Sequence, residues 1–154
     1  MSLETRLETL ERRLAVREFY EEYLDAIHQQ DWPRYEKLFS SDARFAISAP
    51  FNVKLEGAAN IAQAVAQGIG AMDFVALWTS GLHSDIDGAR ARVRIDMNEF
   101  GYGKETCMRT LLTCYDDLVL RDGRWAMQNR QAVVKYFDPN PMRGNSYPWR
   151  VKPG

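Results

Sequence analysis

Two histidines, His28 and His83, are the side chains here whose ordinary pKa allows proton exchange near neutral pH. His28 falls near the end of an amphipathic segment, one turn beyond Tyr23 and Leu24 on the same face, where an imidazole could act as base or acid. Asp25, at i−3, is within reach to orient it. A histidine there is equally a helix C-terminal cation favoured by the dipole. Glu99 shares strand parity with the apolar face Ala91, Val93, Ile95 and Met97. A carboxylate continuing such a face has a raised pKa if it is buried. Glu99 either serves as the acid partner of His28 across a pocket or forms the solvated end of its strand; parity leaves both open. His83 stands four residues before Asp87 and is expected to face solvent or an oligomer contact. Asp31 is assigned to capping the helix that follows it.

The rest of the chain narrows the chemistry further. No P-loop, G-x-G-x-x-G, H-E-x-x-H, G-x-S-x-G or EF-hand pattern occurs, so neither a cofactor nor a metal is expected. Cys107 and Cys114 are seven apart in one predicted strand, which sets them on opposite faces and makes them poor disulfide partners. They read as small apolar fillers in a reduced, cytoplasmic protein. Twenty Lys and Arg against 21 Asp and Glu give a net charge of −1, and no basic run offers a nucleic-acid surface. The apolar stretches fall well short of the ~20 residues that span a bilayer, and the charged start does not read as a signal peptide.

At 154 residues the chain is expected to form one domain, 1–154, with a core from about 8 to 139 and a tail over 140–154. Leu3, Leu7, Leu10 and Leu14 begin a helix over 3–30, whose apolar stripe is read as continuing through Phe19 or Tyr20, Tyr23, Leu24 and Ile27. A short helix follows from Trp32 to Phe39, with Pro33 in its first turn. Ala43 to Ser48 reads as a strand, Pro50-Phe51-Asn52 as a turn and Gly57 to Gly68 as a third helix. Beyond Gly70 the pattern is β-rich, with Asp87-Gly88 and Asp122-Gly123 as hairpin signals and a last strand from Trp125 to Phe137. Helices first and an antiparallel meander afterwards make the class α+β.

This order resembles the SnoaL-like branch of the nuclear-transport-factor-2-like superfamily. So do Asp31-Trp32, Leu38-Phe39, Asp42-Ala43-Arg44-Phe45, the run Asp87 to Val93, and Tyr115 with Asp122-Gly123-Arg124-Trp125. The resemblance implies a cystatin-like cone, a curved antiparallel sheet wrapped round a pocket and packed against the long helix and two shorter ones. It further implies cofactor-independent lyase or isomerase chemistry, dehydratase-like, on a hydrophobic, aromatic or polycyclic small molecule. The dehydratase and dehydrochlorinase members carry an Asp near the end of helix 1 and a His on the strand entering the sheet. Those positions fall at His28 and Leu77, so that dyad is not retained.

By the same resemblance Tyr23 matches a helix tyrosine that could donate a hydrogen bond to an enolate-like oxygen. Arg130 matches a pocket arginine able to hold an anionic or carbonyl group. Arg130 has the opposite parity to Trp125, so both face inward only if a bulge intervenes. Phe45, Trp78, Met97, Met108, Thr110, Cys114 and Val134 are the expected substrate-binding lining. The rival readings are a non-catalytic subunit like the β subunits of ring-hydroxylating dioxygenases, a ligand-binding relative, and a polyketide cyclase-like enzyme with Glu99 or Asp25 as base. A homodimer or homotrimer is expected, from the outer-face residues Arg92, Arg94, Asp96 and Arg109 and from the leucine stripe at 3–14. The Tyr147-Pro148-Trp149 tail is a candidate lid.

Overall fold

The computed structural model describes residues 2–147. The elements are α1 (Leu3–Gln29), α2 (Trp32–Glu36), β1 (Phe39–Ile47), β2 (Val53–Glu56), α3 (Ala58–Gly70), β3 (Phe74–Asp87), β4 (Arg90–Tyr102), β5 (Cys107–Arg121) and β6 (Arg124–Asp138). The fold is α+β. Six strands form one curved sheet in the order β2-β1-β6-β5-β4-β3, with α1 and α3 packed against it. All neighbouring strands run antiparallel except β1 and β6, which run parallel. Among the described residues no helix is long and apolar enough to cross a membrane.

Local chemistry sets the boundaries. Ser2 caps α1 by accepting from Thr5 N at 3.1 Å, and Gln30 ends it in the left-handed conformation. Asp31 caps α2 through Arg34 N at 3.1 Å, as its position suggests. That helix stops at Glu36, because Phe39 already belongs to β1, four residues before the strand read from Ala43. The chain also places β2 after the Pro50 turn, where the sequence pattern shows no strand. Asp122 and Gly123 both have positive φ, 51° and 76°, as a two-residue hairpin turn demands.

Two features correct the reading of faces. The buried residues of α1 are Val16, Phe19, Tyr20, Tyr23, Ala26 and Ile27, whereas Leu3, Leu7, Leu10 and Leu14 are exposed. Leu7 and Val16, Leu10 and Phe19, and Leu14 and Tyr23 are each nine residues apart, which at 3.6 residues per turn is roughly half a revolution. The leucine stripe therefore lies on the opposite side of α1 from the core and does not continue into it. On β6, Leu118 pairs with Met127 but Asp117 pairs with Asn129, so Gln128 is an extra residue. This bulge flips the side-chain alternation and turns both Trp125 and Arg130 inward.

Candidate active site

The concave face of the sheet, α1 and α3 enclose a cavity of about 380 Å³. Its wall is mostly apolar, with Phe45 and Leu55 from the sheet, Val65 and Ile69 from α3, and Phe51 and Phe137 in edge-to-face contact at 4.8 Å. Among the described residues of this wall, Tyr23 and Glu99 are the ionisable side chains that carry oxygen, and the Thr106 hydroxyl and the Cys107 thiol also line it.

Glu99 reaches it because β4 alternates without interruption. Ala91, Val93, Ile95 and Met97 are buried, and Glu99 continues the same face. Its carboxyl makes no hydrogen bond or ion pair among the described residues. Burial pushes its pKa up to about 7, and Arg130 only partly counters this. Thr110 stands opposite Glu99 on β5, buried, with its hydroxyl also unpartnered among the described residues.

Tyr23 is held from behind. Arg130 Nη1 donates to its oxygen at 2.7 Å, and the Tyr35 hydroxyl donates to the same oxygen at 2.9 Å. Both acceptor positions of the phenol are thus filled, and its own O–H remains to donate. Burial, opposed by Arg130, pushes the Tyr23 pKa up to about 12, so the group stays a neutral donor. Arg130 is itself fixed by two parallel bonds to Asp116, from Nε at 2.8 Å and from Nη2 at 2.7 Å, while Tyr20 donates to Asp116 Oδ2 at 2.7 Å. Burial opposes the charge on Arg130, but Asp116, together with Cys114 and Tyr23, outweighs it, so the pKa is raised and the guanidinium stays protonated. The guanidinium also lies over the Tyr23 ring, 4.7 Å from its centroid.

The expected site residues separate into three groups. Tyr23, Glu99, Phe45 and Met108 line the cavity. Arg130, Met97, Thr110 and Cys114 are buried behind that wall, with Met97 Sδ 3.7 Å from Arg130 Nη1. Arg130 is thus spent on Asp116 and Tyr23 and is not placed to hold an anion in the cavity. Val134 is half-buried, its backbone N–H donating to Ser48 Oγ at 2.9 Å, and is not part of the described lining. Trp78 points outward, half exposed, because the inward positions of β3 are Val75 and Leu77.

Asp25 does not orient His28. It forms an exposed ion pair with Arg34 of α2. His28 Nε2 accepts from Leu77 N at 2.9 Å, which fastens the end of α1 to β3. With its lone pair engaged, the neutral ring has no free acceptor, and His28 is not among the described residues lining the cavity. His83 is exposed on β3. Cys107 and Cys114 are both buried and free, 107 at the cavity wall and 114 in the core. Pro139, just before the tail, joins the cavity wall; in the tail Tyr147 is exposed, while Pro148 and Trp149 lie outside the described residues.

Asp116, Tyr20 and Tyr35 are the participants that sequence reasoning missed. Asp116 carried a usable signal. It continues the apolar parity of Leu112 and Cys114, the argument that singles out Glu99.

A profile of the SnoaL-like domain family matches residues 8–131. No curated protein matches the sequence significantly. Among solved structures, a type 2 hexachlorocyclohexane dehydrochlorinase superposes with a TM-score of 0.79 at 17% identity, covering 93% of this chain and 98% of that one. A scytalone-dehydratase-like protein from Novosphingobium aromaticivorans gives 0.78 at 16%, covering 96% and 99%. An NTF2-like protein with a cystatin-like fold from the same organism gives 0.74 at 19%, covering 86% and 88%. At these identities the structural likeness speaks for the fold.

Proposed function

This chain belongs to the SnoaL-like domain family, and we propose that it is a cofactor-independent lyase or isomerase acting on a hydrophobic small molecule. The observation that carries this reading is the pairing, in one apolar cavity, of a carboxyl whose pKa is raised to about 7 with a phenol whose only free function is to donate. Ionised Glu99 takes a proton from carbon next to a carbonyl group. Tyr23 donates to the carbonyl oxygen as negative charge develops there. In a lyase the C–H electron pair becomes the new C=C bond as a hydroxyl leaves the neighbouring carbon with its bonding pair, and Glu99 returns its proton to form water. In an isomerase the proton returns to a different carbon. A pocket free of hydration strengthens both interactions.

A direct test needs no knowledge of the natural substrate. Exchange of the α-protons of a bicyclic ketone such as 2-tetralone into D₂O, followed by NMR, reads the first step alone. The expected result is catalysed exchange that rises with pH through about 7 and vanishes in Glu99→Gln. Exchange no faster than in buffer, with the ketone bound, would overturn the catalytic reading.

The second reading is a ligand-binding or non-catalytic relative, with the dioxygenase β subunit-like role as one form of it. The contact between His28 and Leu77 favours it, since the two dyad positions are bonded to each other and hold no free base. Such a protein would bind hydrophobic molecules equally well with Gln at position 99.

A further inference from the structure

The exposed leucines of α1 form a seam with directional charge. Leu3, Leu7, Leu10 and Leu14 follow the alternating spacings of four and three that mark the a and d positions of a heptad, with Leu3 and Leu10 at d and Leu7 and Leu14 at a. All four are more than half exposed, Leu3 at 81%. The fully buried residues of α1 begin only at Val16 and lie on its other side. Arg12 Nη1 donates to Gly88 O at 3.0 Å from that other side, so this stretch of helix is already anchored. The cost of nucleating a short helix therefore does not fall on any association.

The flanks decide what fits the seam. One edge carries Arg6 and Arg13 at g positions, and the other carries Glu4, Glu11 and Glu18 at e positions. All five are exposed. No ion pair within the described chain engages any of them. Side by side and pointing the same way, two copies set Arg6 against Glu11 and Arg13 against Glu18 of the other copy. Head to tail, arginine edge would meet arginine edge and glutamate edge would meet glutamate edge. The acidic edge also disfavours an anionic membrane surface. The seam closes at Arg17, which takes the next d position.

We propose that α1 pairs with the α1 of a second copy of this chain as a short parallel coiled coil over residues 3–14. The two bodies project to opposite sides, because the core face lies across the helix from the seam. Four leucines per copy make a small contact, so the dimer forms reversibly with concentration.

Sedimentation velocity of the full chain tests this. The expected result is a monomer–dimer equilibrium in the micromolar to submillimolar range. Leu7→Gln with Leu10→Gln should weaken it at least tenfold, equivalent to about 1.4 kcal/mol, with an unchanged circular dichroism spectrum because both side chains are exposed. Orientation is read by Leu3→Cys, which should form a disulfide-linked dimer under mild oxidation; Cys107 and Cys114 are buried and do not compete. A chain monomeric throughout that range overturns the proposal. So does association untouched by the leucine substitutions, which would move the contact to another surface, such as the Trp78, Leu111 and Tyr136 row on the outer sheet face. A trimeric mass overturns the pair. Cross-linking only when Leu3→Cys is mixed with Leu14→Cys overturns the parallel arrangement.

Discussion

Arg130 and Asp116 face each other across β6 and β5, fully enclosed, and hold one another with two hydrogen bonds of 2.8 and 2.7 Å. Such a pair contributes little net stability over an apolar isostere, yet removing one partner strands a charge in the interior. Asp116→Ala should therefore cost about 3–5 kcal/mol in denaturant unfolding. Arg130→Met combined with Asp116→Leu should recover much of that loss. Equal losses for the single and double variants would show that the pair is not the energetic unit.

Tyr23 joins this pair to the cavity. Tyr23→Phe removes the oxygen that accepts from both Arg130 and Tyr35. Two buried donors lose their acceptor, so stability should fall by about 1–3 kcal/mol. The rate of ketone α-proton exchange should fall by about 10²–10³, as when a single oxyanion donor is lost, with little change in KM. Tyr35→Phe leaves the Tyr23 hydroxyl in place and should lower the rate much less. A Tyr23→Phe variant with full exchange activity would remove the phenol from the chemistry.

The sequence is legible wherever alternation runs unbroken. β4 shows its face from Ala91 onward, so Glu99 shares the parity of the apolar face, although parity alone does not decide between a buried carboxyl and the solvated end of the strand. The two hairpin turns are equally plain, because Gly88 in the first and Asp122 with Gly123 in the second supply the positive φ those turns require. Legibility fails where one extra residue resets the phase. Gln128 on β6 has no local signature, and only the pairing with β5 shows that Arg130 turns inward. A second shift lies on β3 between Ser80 and His83, beside Gly81 with φ of 68°. The leucine stripe misleads for a different reason. Its spacing is helical and apolar, but periodicity does not say which side of a helix the body occupies. Asp116 and Tyr35 escaped notice because each gains its meaning from a partner far away in the chain, Arg130 in one case and Tyr23 in the other.

His28 illustrates how a suggestive residue becomes a fastening. Its Nε2 is the acceptor for the Leu77 amide, a backbone group that would otherwise be left half-buried without a partner. His28→Ala should lower stability by about 1–3 kcal/mol and should leave α-proton exchange within a few-fold of the unaltered chain. The pH dependence of exchange should keep the same limb. A hundredfold loss of rate in a folded His28→Ala variant would return the imidazole to the chemistry.

Glu99 gives the pH prediction its sign. Its folded pKa of about 7 lies above the ordinary 4.5 because burial penalises the charge. Between those values the folded chain keeps a proton that the unfolded chain has released. Stability must then fall as pH rises through that window. The contribution is fully present below about 4.5, is lost as pH approaches about 7, and is flat above. At 1.36 kcal/mol per pH unit its size is on the order of 3 kcal/mol. Glu99→Gln keeps the shape without the ionisation, so the slope should disappear and the variant should be the more stable protein at pH 8. Subtracting the two stability curves removes the half-buried carboxylates Asp96 and Asp138, whose pKa values are lowered and which act at more acidic pH. A difference curve that is level from pH 4 to 8 would mean that the Glu99 carboxyl is solvated, and the apolar cavity would then lack the base the proposed reaction requires.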